Sequence, residues 1–261
     1  MPLLLERVGR KLLKYGDELL WHVIGRRIRG YRRYELNGYS IYLDVSESAD
    51  MFKRARGHYE PVKQRFLRAF LRPGMTFVDV GANRGDFTLL AASLVGSGGR
   101  VYAIEPEAEN CRWLQRSIHE NHFTNIELIQ AAATDQVGEA KLYLGQRSGW
   151  HTLLPGYNPP EHGAVMVRTM KLDDALGHIP RLDLMKIDVE GFEGPVVRGA
   201  LALIKRMKPV VLMDTHPQMG AELGSIEQSF QSLGYRLSRI DDPTTLLDHL
   251  PRREMDVLCS P

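Results

Sequence analysis

The residues in this chain that could do chemistry fall into two sets. In the first, Asp79 lies inside the short apolar run Phe77-Val78-Asp79-Val80, and Gly81 and Gly85 follow directly. Glycines let a backbone come close to a ligand, and a helix starting after them offers free N–H groups to negative charge. The spacing is G-x-x-x-G, which is neither the G-x-G-x-x-G of dinucleotide turns nor a phosphate-binding loop ending in Lys-Ser or Lys-Thr. A triphosphate is disfavoured. An acid beside a short loop suits S-adenosylmethionine, which carries an ammonium, a carboxylate and a sulfonium but no phosphate. Asp79 and open loop amides would hold its methionine end. Glu105, twenty residues after Gly85 at the end of Arg100–Glu105, stands where such folds place a carboxylate for both ribose hydroxyls.

The second set is Asp188, Glu190 and His216, at the C-terminal ends of two apolar runs, Leu182–Asp188 and Pro209–Asp214. Strand ends of this kind form the ligand-binding edge of an open α/β sheet. Methyl transfer from a sulfonium is an in-line displacement, so the protein must orient the acceptor, take its proton and exclude water. His216 titrates in a range suited to a general base. Asp188 or Glu190 would orient it or bind substrate hydroxyls, and Lys186 could share their face or pair with a sheet carboxylate. A sharper variant has Asp188, Asp214 and His216 hold Mg²⁺, which would lower the pKa of the acceptor hydroxyl. The plainer readings are helix capping for the two acids and a turn role for His216 before Pro217.

These residues require an α/β frame. From Thr76 onward the pattern alternates: strand Phe77–Val80, a helix from Phe87 with Asp86 as N-cap, strand Val101–Glu105, helix Ala108–His122, strand Ile126–Ala131. That order calls for a parallel, doubly wound sheet with right-handed crossovers. Ala140–Leu144 and Val165–Met170 read as strands around a long loop, 145–163, which would make a substrate lid. Within it Trp150, His151 and Tyr157 could stack on a sugar, and Asn158-Pro159-Pro160 reads as loop punctuation. A helix is expected from about Glu193 to Met207 and another over Glu222–Leu233. Tyr235–Ile240 and Met255–Ser260 would close the sheet as an antiparallel pair, giving seven strands.

Upstream, Leu3–Arg33 reads as one or two helices, Tyr34–Val45 as a hairpin centred on Asn37-Gly38, and Glu60–Leu71 as a helix. Residues 1–56 would thus form a basic helical and hairpin extension, with the main domain over 57–261. The 261 residues carry a net charge of +2. Residues 1–33 alone hold nine Arg/Lys against Glu6, Asp17 and Glu18, a net +6, which leaves the remainder at −4. A mildly acidic body argues against nucleic acid as its substrate, while the basic arm leaves peripheral membrane contact, a dimerisation arm or a solvated cap open. Cys111 and Cys259 have no metal-ligand spacing and read as reduced structural thiols, and no signal peptide or spanning run is evident. A cytoplasmic protein, with some membrane association through the arm, is expected.

Taken together, Gly57-His58-Tyr59-Glu60, FVDVGANRGDFTLLAA at 77–92, AIEPEAEN at 103–110 and NIELIQAAATD at 125–135 resemble the FkbM-type S-adenosylmethionine-dependent methyltransferases. VRTMKLDD at 167–174, LMKIDVEGFEGPVVRGA at 184–200 and PVVLMDTHP at 209–217 continue the likeness. The resemblance implies a Rossmann-like class I fold and O-methylation of a hydroxyl on a sugar, glycan or small secondary metabolite. It also implies a cofactor site built from Tyr59, Glu60, Asp79, Gly81, Ala82, Asn83, Gly85, Thr88, Glu105 and Asp135, the last near the adenine amino group. Here the fifth strand ends Asp214-Thr215-His216 where the family often has Glu-x-His, and the arm at 1–33 is outside the shared pattern. Two other functions stand beside this one. A membrane-tethered, non-catalytic S-adenosylmethionine-binding module would use the basic arm, and an NAD-dependent oxidoreductase or epimerase would need the missing G-x-G-x-x-G.

Overall fold

The computed structural model describes residues 16–36, 38–159, 162–219 and 222–261. The first half of the expected arm, Asn37 of the hairpin turn and Pro160 of the loop therefore lie outside the described residues. Helix α1 is described over 16–23, and Leu19 and Val23 on it are more than half exposed. Strands β1 (Arg32–Leu36) and β2 (Tyr39–Leu43) pair antiparallel with Leu36 opposite Tyr39, as the Asn-Gly signal predicts. Helices α2 (Ala49–Ala55) and α3 (Pro61–Phe70) follow.

The main sheet is built from β3 (Thr76–Val80), β4 (Arg100–Glu105), β5 (Ile126–Gln130), β9 (Leu184–Ile187), β10 (Val210–Thr215), β11 (Arg236–Arg239), β12 (Leu246–Leu247) and β13 (Met255–Ser260). Its order is β12-β11-β13-β10-β9-β3-β4-β5. β5, β4, β3, β9 and β10 run parallel, and β13 inserts antiparallel between β10 and β11. Seven of these strands are the expected ones, and the two-residue β12 adds an eighth at the edge. The expected strands at 140–144 and 165–170 do not join it. β7 (Gly138–Tyr143) and β8 (Ala164–Met170) pair with each other and with β6 (Ala132–Ala133) in a separate three-stranded sheet.

Between the strands lie α4 (Asp86–Val95), α5 (Ala108–Glu120), α6 (Leu172–Ala175), α7 (Glu193–Arg198), α8 (Leu201–Met207) and α9 (Leu223–Ser232). Alternate residues of the strands feed two cores. Val78, Val80, Tyr102, Ile104, Val211 and Met213 face one; Phe77, Val101, Ala103 and Leu212 face the other. Burial on both faces explains why these strands read as unbroken apolar runs. The hairpin shares the second core through Tyr39, Ile41 and Leu43. Its backbone is fastened to α5, with Ser40 N–H donating to Asn121 Oδ1 at 2.7 Å and Tyr42 N–H to Ser117 Oγ at 3.0 Å.

Two helix expectations change. Gly85, at φ +96°, is the residue before α4, and Asp86 is its first helical residue. The single helix expected over 193–207 is broken at Gly199-Ala200. There the Gly199 carbonyl accepts from Asp173 N–H, and a Cβ at Gly199 would stand on the carbonyl oxygen of Thr134. Gly199→Ala is accordingly expected to lower unfolding free energy by about 1–3 kcal/mol through overpacking, read as a lower urea midpoint with an unchanged m-value.

Candidate active site

The Gly81–Gly85 loop, the end of β4, β6 and part of the 145–163 loop enclose a cavity at the carboxyl ends of the strands. Gly81, Ala82, Asn83, Glu105, Tyr59 and Glu190 are in its wall, together with the apolar surface of Ile104, Ala131–Ala133, Leu142 and Leu153. Glu105 is buried and accepts from Asn83 N–H (2.8 Å) on one oxygen, and from Glu107 N–H (3.0 Å) and the Asn110 side chain (3.1 Å) on the other. Burial raises its pKa against those hydrogen bonds.

The loop amides are not open, contrary to expectation. Gly81 and Ala82 N–H donate to the Ile104 carbonyl, Asn83 N–H to Glu105, Arg84 N–H to Asn83 Oδ1, and Gly85 N–H to the Ala82 carbonyl. The Asp86 carboxylate at the start of α4 is paired instead with buried Arg54, at 2.5 Å. Arg54 lines the cavity and its Nε has no hydrogen-bond partner among the described residues, so it offers a cationic donor that sequence reasoning missed.

Five of the expected cofactor residues are not in the cavity wall. Asp79 is fully buried behind it, accepting from Thr88 Oγ1 at 2.7 Å and pairing with Lys186 at 3.3 Å. Thr88 thus faces Asp79. Gly85 packs its Cα against Leu114, where a Cβ would clash. Asp135 pairs with Arg198 at 2.8 Å, away from the cavity, because the β6 turn directs it toward α7. Glu60 lies in a second chamber.

That chamber adjoins the first, and the two share Arg54, Tyr59, Gly149, Asp188 and Glu190. Asp214, His216 and Trp150 also line it. His151 lines the first chamber and Tyr157 neither, so the loop aromatics do not form one platform. The loop itself is bound to the site: Ser148 N–H donates to Glu47, the Asn83 side chain donates to the Ser148 carbonyl, and Thr152 Oγ1 donates to the Glu190 carbonyl.

Strand register brings the charges together. Asp79 and Lys186 are cross-strand partners, as are Asp214 and Asp256. Opposed carboxylates repel, and Lys63 from α3 lies between this pair at 2.9 and 3.0 Å while also meeting Glu60 at 2.9 Å. Lys186 also pairs with Asp188 at 3.3 Å, and its pairing with Asp79 of β3 is the sheet-carboxylate alternative of the two expected for it. Burial disfavours the charge on both lysines, but the surrounding carboxylates outweigh it and raise both pKa values. Burial likewise opposes charge on Asp188, yet Lys186 and Lys63 hold it well below the usual range. Burial and then the Asp188 charge push Glu190 up to about 8, and burial pushes Asp214 up to about 7 despite Lys63.

His216 does not titrate near neutrality as expected. Burial lowers its pKa, but its hydrogen bond to Glu193 and the charges of Asp188 and Glu190 raise it to about 10. Glu193, fully buried and 2.8 Å from Nδ1, was also missed. Lys63, 151 residues from Asp214, left no local signal.

Five parallel strands with a β-strand inserted antiparallel beyond them, and the cavity at their carboxyl edge, define a class I S-adenosylmethionine-dependent methyltransferase fold. The model of the methyltransferase FkbM domain matches residues 79–237, and the chain belongs to this FkbM methyltransferase family. A solved FkbM methyltransferase from Methylobacillus flagellatus shares the fold at a TM-score of 0.50 and 16% identity; the match covers 82% of this chain and 54% of that one, so the chain spans about half its length. A probable cobalt-precorrin-6B C(15)-methyltransferase (decarboxylating) from Sulfolobus acidocaldarius is 29% identical over 157 residues, 58% of this chain and 80% of the relative. Ribosomal RNA large subunit methyltransferase E from Alkalilimnicola ehrlichii is 34% identical over 84 residues, 31% and 40% of the two chains.

Removing one partner from a buried ion pair leaves the other charge uncompensated. Lys186→Met, close in length, should therefore cost about 3–5 kcal/mol in urea unfolding. A loss below about 1 kcal/mol would mean that Asp79 and Asp188 find other partners.

Proposed function

We propose that this protein transfers the methyl group of S-adenosylmethionine to a hydroxyl of a sugar, glycan or small secondary metabolite. The observation that carries this reading is the meeting of two chambers at Asp188 and Glu190. An in-line displacement needs donor and acceptor on opposite sides of the moving methyl group. The first chamber suits the cofactor: Glu105 for the ribose hydroxyls, the Ala131–Ala133 and Leu153 surface for adenine, and Arg54 Nε for the methionine carboxylate. The second suits a polyol, with carboxylates to accept from hydroxyls and Trp150 as a face for a sugar ring.

Glu190, in its ionised form, takes the acceptor's proton in this scheme because it stands in the wall of both chambers, so activity should rise with pH toward its raised pKa of about 8. Asp188, held ionised by the lysines, binds a second hydroxyl. His216 carries positive charge in the protein alone and positions Glu190, 3.7 Å from its Nε2.

Transfer of labelled methyl groups from S-adenosylmethionine to a panel of sugars, glycans and hydroxylated metabolites tests the proposal. A hydroxyl acceptor should be methylated, and Glu190→Gln should lower kcat by about 10²–10⁴ while S-adenosylhomocysteine affinity stays within a few-fold. A folded protein that does not bind S-adenosylhomocysteine, or full activity in Glu190→Gln, would contradict it.

A further inference from the structure

We infer that Asp188, Asp214 and His216 together bind one divalent cation of the Mg²⁺ or Mn²⁺ class in the wall of the second chamber. What the ion does depends on the methyl-transfer reading; whether it binds does not. Each of the three residues offers one donor atom, and these atoms lie within 4.8 Å of one another. All three line the chamber.

The lysines leave donors free. Lys63 and Lys186 both approach Oδ2 of Asp188, and Lys63 approaches Oδ2 of Asp214. Oδ1 of neither aspartate makes a hydrogen bond among the described residues.

His216 supplies the independent indication. It is only 4% exposed, and its Nδ1–H donates to Glu193, itself fully buried, which fixes the ring. Its Nε2 makes no hydrogen bond among the described residues, and the Glu190 carboxylate is 3.7 Å away. An imidazole with one nitrogen oriented by a buried carboxylate and the other open toward further carboxylates is how proteins prepare a histidine for a metal. Carboxyl groups also outnumber ammonium groups here: Glu60, Glu190, Glu193 and Asp256 surround the three donors, against Lys63 and Lys186.

Two carboxylates and one imidazole, without sulfur, suit Mg²⁺ or Mn²⁺. Such an ion keeps coordination positions for water or for substrate oxygens, which points to acceptors with neighbouring hydroxyls that can chelate it. A hydroxyl bound there loses its proton more readily. The proton passes to Glu190, the O–CH₃ bond forms as the S–CH₃ bond breaks, and the sulfonium leaves as the neutral thioether of S-adenosylhomocysteine.

The test is Mn²⁺ titration of the full chain followed by electron paramagnetic resonance, with S-adenosylhomocysteine titrated calorimetrically into the same samples. One Mn²⁺ should bind per chain, be displaced by excess Mg²⁺ and show histidine nitrogen coupling in pulsed spectra. Asp214→Asn should weaken binding about tenfold or more, Glu193→Gln by about 10–100-fold, and His216→Gln should abolish the nitrogen coupling. Saturable Mn²⁺ binding that is unchanged in Asp214→Asn and His216→Gln, both folded by circular dichroism, would overturn the inference. So would a wild type that binds S-adenosylhomocysteine but no Mn²⁺, an outcome that leaves the methyl-transfer reading standing. Mn²⁺ bound without S-adenosylhomocysteine would sink that reading and keep the metal site.

Discussion

Two buried ammonium groups at the carboxyl edge of the sheet tie the site to the fold. Lys186 joins β3 to the end of β9 through Asp79 and Asp188, and Lys63 joins α3 to β10 and β13 through Asp214 and Asp256. Each carboxylate alone would be costly to bury, and each lysine more so. Held together, they position two strand ends and one helix in a single arrangement, and the loops that bear Gly81, Asp188 and Glu190 follow from it.

The strained backbone collects at the same place. Among the described residues, five other than glycine adopt positive φ, and Glu60, Asn83 and Glu190 are three of them. Each sits in the wall of one or both chambers. Such a conformation costs on the order of 1–3 kcal/mol per residue and persists where the surroundings over-determine it. For Asn83 the surroundings are explicit: its N–H is held by Glu105 and its side chain donates to the Ser148 carbonyl. That chain of bonds links the Glu105 side of the cleft to the 145–163 loop above it.

The sequence revealed whatever was local. The buried strands announced themselves as apolar runs, the hairpin by Asn-Gly, and the cavity by the Gly81–Gly85 turn and Glu105. It was silent where side chains meet across the fold. Asp79 looked like a ligand group because it ends a strand beside a glycine loop, yet cross-strand register hands it to Lys186. The loop amides looked open because nothing local shows that β4 would supply the Ile104 carbonyl to two of them. His216 has the right type for a base, but its pKa depends on Glu193 and on acids from another strand. The separate sheet of β6, β7 and β8 was hidden because its strands alternate in the same way whichever sheet they join.

The most direct measurement is a crystal structure with S-adenosylhomocysteine bound. The adenine should lie against Ala131–Ala133, the ribose at Glu105 and the carboxylate near Arg54, with the sulfur directed at the junction formed by Asp188 and Glu190. A cofactor in the second chamber, or a sulfur pointing away from that junction, would contradict the placement of donor and acceptor on which everything else rests.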